Sequence, residues 1–128
     1  MKIMTKKTKG IWMDHSTADL IDINKVEGIR SITSDFTSDT KEEALIKSEK
    51  GMHHKRQQMQ EAYYKEISNE ILKYDHVLLF GPTHAKTELL NFLKKDLHFK
   101  NVTIDIQSAD NMTNYQKKAH VKRHFKNN

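Results

Sequence analysis

The stretch DHVLLFGPTHAKTELLNFLKKDL, Asp75 to Leu97, decides the fold. Val77, Leu78, Leu79 and Phe80 form an apolar run with no polar alternation, and Gly81-Pro82 ends it at once. A short run of this kind, bounded by a turn signal, reads as a strand buried on both faces. Pro82 cannot extend a central strand, and Thr83 suits the entry to a helix. Leu89, Leu90 and Leu93 then take up a helical spacing. Strand, tight turn and helix make the core unit of an α/β domain.

Outward from that unit, the first third of the chain reads as a meander. Gly10–Asp14 is a first strand and His15-Ser16 a turn. Thr17–Asn24 is a second strand, with Ala18 and Leu20 on one face and Asp19 and Ile21 on the other. Lys25–Gly28 connects to a third strand over Ile29–Phe36, with Ile32, Ser34 and Phe36 on one face. Such close spacing implies antiparallel pairing. Thr37–Met52 is a polar connection that ends in Lys50-Gly51-Met52-His53-His54-Lys55-Arg56. A long helix follows to Lys73, with Met59, Tyr63, Ile67 and Ile71 at i, i+4 spacing, Ala62, Tyr64 and Leu72 beside them, and Glu66 and Glu70 on the exposed side. Beyond the central unit, NVTIDI (Asn101–Ile106) alternates as a further strand. A last helix, capped near Thr113 or Asn114, runs through Phe125 with Tyr115, Ala119 and Phe125 as its buried stripe. The order is β-β-β-α-β-α-β-α, which predicts an α/β fold: a mixed sheet with helices on both faces.

The whole chain has 128 residues, 36% of them hydrophobic, and carries a formal net charge of +5, with a pI of about 9.3. That length fits one domain with one core. Residues 1–9 read as a flexible basic arm and 10–128 as the domain. There is no cysteine, so no disulfide framework. No apolar segment follows the basic N-terminus, so neither a signal peptide nor a membrane span is expected, and a cytoplasmic protein is. The charge favours anionic partners. Its excess lies late, in Lys117, Lys118, Lys122, Arg123 and Lys126, with no acid after Asp110.

The motif candidates are few. Gly81–Lys86 is not a Walker A loop, because it lacks the second glycine and the Lys-Ser/Thr pair; an ordinary strand-to-helix turn is the plainer reading. Met13-Asp14-His15-Ser16 is a strand end with polar turn residues, since a catalytic triad is recognised by spatial roles. The neighbouring His53 and His54 face different ways on a helix and make poor joint ligands; His-x-x-x-His is the useful spacing. Asp14, Asp22, Asp105 and Asp110 show no specific metal-ligand spacing. No cofactor and no metal are therefore expected. Lys55 and Arg56 at a helix start oppose the helix dipole, so local stability does not explain them, whereas an external anion such as a nucleic-acid phosphate does. The plainer alternative is a solvated surface.

These segments together resemble a family. Gly51 through the long helix, HVLLFGPTHAKTELLNFL, NVTIDI and SADNMTNYQKKAHVKRHF resemble the middle domain of archaeal and eukaryotic class I peptide-chain release factors and of Pelota. The likeness is nearest to the bacterial release-factor-like families, labelled translational machinery proteins. GIWMDHSTADLIDI is similar to that family's first hairpin. The order of elements and the Gly-Pro turn carry the resemblance, over nearly all of the chain from Gly10. It implies a ribonuclease-H-like fold and a place in translation. Release factors carry a Gly-Gly-Gln tip before the long helix; the matching segment here is EKGMHHKRQQ, so peptidyl-tRNA hydrolysis is not expected.

The expected function is a ribosome- or tRNA-associated translation factor, in hibernation, rescue or a related role, with the ribosome, rRNA or tRNA as partner. A loop tip of Lys50, Gly51, His53, His54, Lys55 and Arg56 is the expected RNA contact. Lys117, Lys118, Lys122 and Arg123 would add a second one. The alternatives are a hydrolase in which His53 or His54 serves as base, and a protein-interaction module.

Overall fold

The computed structural model describes residues 7–23, 29–34 and 49–126, with the side chains of 49–56 outside that description. The elements run β1 (Thr8–Met13), β2 (Thr17–Ile21), β3 (Ile29–Thr33), α1 (Glu49–Ile71), β4 (His76–Gly81), α2 (Ala85–Lys94), a single 3-10 turn (Leu97–Phe99), β5 (Thr103–Ser108) and α3 (Asn114–Lys126). The sheet order is β3-β2-β1-β4-β5. β1, β2 and β3 form the antiparallel meander, and β4 pairs parallel with β1 and with β5. The mixed sheet and the element order are as the sequence predicts.

β4 lies inside the sheet, and Val77, Leu78, Leu79 and Phe80 are each 0% exposed. Pleating sends Val77 and Leu79 to one face and Leu78 and Phe80 to the other. On the first face, α1 supplies Tyr63, Tyr64, Ile67 and Ile71, and α2 supplies Ala85, Leu89 and Leu93. They pack over Ile11, Met13, Ala18, Leu20 and Ile32. On the second face α3 sets Val121 against Trp12, Ile21, Leu78 and Phe80. The run without a polar side thus forces helices onto both faces of the sheet.

Local chemistry closes the turns. A Cβ on Gly81 would lie 2.1 Å from the carbonyl oxygen of Met13, at a φ of +154° that side chains rarely adopt. Asp14 accepts from the backbone N–H groups of Ser16 and Thr17, which makes its stretch a turn. Thr83 Oγ1 accepts from the Ala85 N–H at 3.2 Å. Lys86 folds back to donate to the Thr83 carbonyl at 2.6 Å and is buried, so it is spent on its own turn. Tyr64 and His15 both reach Glu88. Burial pushes the Glu88 carboxyl up, but those hydrogen bonds outweigh it and hold it below its ordinary value.

Several expectations are corrected. β1 begins at Thr8 and Lys7 already bonds to Asp75, so residues 7–9 are part of the folded body and not of an arm; residues 1–6 lie outside the described residues. So do the expected Lys25–Gly28 connection, Phe36 and most of Thr37–Met52. Glu70 is buried and pairs with Arg30 and Lys73, while Leu72 and Ala62 are exposed. In α3 the buried residues are Lys117 and Val121, and Tyr115 is 83% exposed. The helix is rotated from the expected stripe, with Val121 seated closely against Gly10.

Leu79→Asp places an unpaired carboxylate between two apolar layers. Its cost of several kcal/mol is comparable with the whole stability of a small domain, about 5–15 kcal/mol. Loss of the cooperative transition in a circular-dichroism melt is expected; an unchanged melt would contradict the placement of β4.

Candidate functional site

The chemistry concentrates on the α3 face. Thr113 and Gln116 start the helix with a reciprocal cap: Gln116 N–H donates to Thr113 Oγ1 at 3.2 Å, and Thr113 N–H to Gln116 Oε1 at 2.9 Å. α3 then lies close to the sheet, since a Cβ on Gly10 would sit 2.2 Å from a Val121 methyl. Polar contacts flank that apolar centre on both sides.

On the β2 side, the Lys117 ammonium donates to Asp19 Oδ2 at 2.6 Å. It also stands 4.1 Å from the centre of the Trp12 ring. Ser31 donates to the other oxygen of Asp19 at 2.7 Å. Both charged side chains are about nine-tenths buried. A buried pair of this kind adds little net stability, but leaving one partner alone is costly.

On the β5 side, the histidines gather. His76 on β4, Asp105 on β5 and His124 on α3 converge on one oxygen. Asp105 Oδ2 is 2.5 Å from His76 Nε2 and 2.8 Å from His124 Nε2. Gln107, two residues along the same face of β5, joins His124 Nδ1 at 3.2 Å and His120 Nε2 at 2.7 Å. The His120 ring stacks on Phe80 with centroids 4.8 Å apart, and Phe125 stands edge-on to His76. Burial pushes the Asp105 carboxyl up, but hydrogen bonds from His124 and His76 hold it below its ordinary value. Burial, then the nearby Arg123 and His124, lower the His120 pKa.

The expected RNA-contact residues divide. Lys50, Gly51, His53, His54, Lys55 and Arg56 fall within α1, which begins at Glu49, so they form its first two turns and not a loop tip; their side chains lie outside the described residues. Lys122 and Arg123 are exposed on α3, Lys118 is half-buried, and Lys117 is buried. Lys117 thus belongs to the interior and not to an outer basic face. Arg123 and Lys126 in the last turn also complement the helix dipole.

The four aspartates weighed as a metal set do not assemble among the described residues. The grouping that does form is His76, Asp105 and His124, with ligand atoms all within 4.8 Å of one another. Sequence reasoning missed it, because no spacing links His76, Asp105 and His124.

No protein-family model and no curated protein matches the chain. Solved structures that share its fold include Pelota from Archaeoglobus fulgidus, at TM-score 0.57 and 14% identity over 93% of this chain, and Pelota from Thermoplasma acidophilum, at 0.54 and 13% over 96%. The chain spans 31% and 32% of the length of those two proteins.

The two kinds of lysine on α3 are separable by stability. Lys117→Ala strands Asp19 and is expected to lower stability by about 3–5 kcal/mol. Lys122→Ala with Arg123→Ala is expected to leave it within about 1 kcal/mol. Urea titration of the two variants checks both; equal effects would remove Lys117 from its interior role.

Proposed function

We propose that this chain is a translation factor that associates with the ribosome or tRNA and does not hydrolyse peptidyl-tRNA. The observation that carries the reading is the outer side of α3. Lys122 and Lys126 lie at i, i+4 spacing with Arg123 beside them, on a helix without a single acidic residue. Lys122, Arg123 and Lys126 are exposed. A solvent-facing row of cations with no acid among them suits a phosphate backbone, whose binding is governed by release of condensed counterions. Support for translation in particular comes from the fold shared with Pelota, together with the resemblance of the sequence to release-factor middle domains.

Lys50, Lys55 and Arg56, in the first two turns of α1, are the second proposed contact. Lys50 sits where the helix dipole disfavours a cation, so a role beyond local stability accounts for it. The segment that resembles the release-factor tip contains no Gly-Gly-Gln, and it is helical where that tip would be a loop. Met52 and His53 cannot copy the backbone freedom of paired glycines. These features support a role without ester hydrolysis, which we propose to be in hibernation or rescue.

Cosedimentation with ribosomes, and filter binding to tRNA, over a salt series test the reading. Affinity is expected to fall with a log–log slope of roughly −0.7 to −0.9 per phosphate contact. Lys122→Ala with Arg123→Ala is expected to flatten that slope by about one to two units. Absence of binding at low salt would overturn the proposal in favour of a protein-interaction module.

The second expected outcome concerns catalysis. Incubation with peptidyl-tRNA is expected to give no release above the buffer rate. Release that His53→Ala abolishes would establish the hydrolase alternative instead.

A further inference from the structure

Two imidazoles and a carboxylate that meet on one oxygen atom are an unusual way to fasten a helix to a sheet. We propose that His76, Asp105 and His124 form a binding site for a zinc-type divalent metal ion.

The three side chains come from three elements, β4, β5 and α3, and their ligand atoms lie within 4.8 Å of one another. Both imidazoles present Nε2 to the same Asp105 Oδ2, at 2.5 and 2.8 Å. Tetrahedral coordination at about 2.0–2.1 Å requires ligand atoms roughly 3.3 Å apart. An ion seated between them would open the two N···O distances to that value. The donor set is two nitrogens and one oxygen, which suits zinc and its first-row neighbours. Magnesium and calcium prefer all-oxygen shells, and the chain has no cysteine to build a thiolate site.

The surroundings favour the same ion. The His76 and His124 side chains are 14% and 12% exposed, whereas Asp105 is 35% exposed. The site is therefore closed towards the protein and open on one side, where solvent would supply a fourth ligand to a bound ion. Phe125 stands edge-on to both rings, with centroids 5.0 Å from His76 and 5.1 Å from His124, which restricts their rotation. Gln107 is the positioning residue. With a metal on Nε2, His124 Nδ1 must carry its proton and needs an acceptor. The Gln107 amide already lies there at 3.2 Å. Turning that amide end for end places its oxygen at His124 and its NH2 at His120.

Titration of the full chain with Co2+, then displacement by Zn2+, tests the site. Visible d–d absorption that saturates at one Co2+ per chain and is bleached by Zn2+ is expected. Zn2+ at 100 times its Kd is expected to raise Tm by roughly 5–10 °C, and Mg2+ is expected to leave it unchanged. Asp105→Asn, which keeps the side chain's shape, and His124→Ala are each expected to weaken binding by at least about 100-fold. Gln107→Ala should weaken it by about 10- to 100-fold. His53→Ala with His54→Ala is expected to leave Co2+ binding as it is in the unaltered protein, which separates this site from the neighbouring histidines of α1. No Co2+ absorption by the unaltered protein, binding that survives both Asp105→Asn and His124→Ala, or binding lost with His53 and His54 would each overturn the assignment.

Discussion

The structure depends on β4 being apolar on both of its faces. A strand with Val77 and Leu79 to one side and Leu78 and Phe80 to the other cannot face water on either. It must lie inside the sheet, between β1 and β5. It must also have cover above and below. α1 and α2 provide that cover on one face and α3 on the other. At the end of the strand, Gly81 passes too near the Met13 carbonyl for any side chain, so the chain turns there and α2 starts.

The two faces are covered by different physics. The α1–α2 side is a broad apolar layer, and its hydrophobic area holds it in place. α3 buries Val121 fully, packs Phe125 beside it, and adds several polar contacts with the sheet. Its seat is set by the match of Val121 with Gly10, and by two polar attachments on either side of it. One is the Lys117–Asp19 pair. The other is the set of His76, Asp105, Gln107, His120 and His124. Such attachments add modest stability but penalise every other seating, because a shifted helix would leave buried charges unpaired. The same constraint divides the lysines of a uniformly basic helix: Lys117 is used inside, and Lys122 and Arg123 are left for solvent or a partner.

Most of the architecture was legible in the sequence. The apolar run before Gly81-Pro82, the alternation of Ala18 and Leu20 with Asp19 and Ile21, and the cap around Thr113 are local signals. They depend on the period of a strand or helix and on side chains within reach of their own backbone. The candidate site was legible in part. The excess of Lys and Arg in the last helix is a matter of counting. Which of those residues face outward is not, because α3 is polar almost all round and its 3.6-residue period has little apolar contrast to read. That is why Tyr115 was expected inside and Lys117 outside, and why the structure reverses them. The start of α1 was misjudged for a related reason. Lys50–Arg56 looks like a loop because it contains a glycine, which disfavours a helix interior, and cations that oppose a helix dipole.

By itself, then, the sequence determined the element order, the central strand and the basic last helix, since each is written in neighbouring residues. The convergence of His76, Asp105 and His124 was decided by tertiary structure. Asp105 is 29 residues from His76 and 19 from His124, and no periodicity connects them. They meet because the parallel register sets His76 opposite Thr103 and Leu78 opposite Asp105, and because Val121 must settle over Gly10. Those two constraints bring an edge strand and the last turn of a helix to the same point.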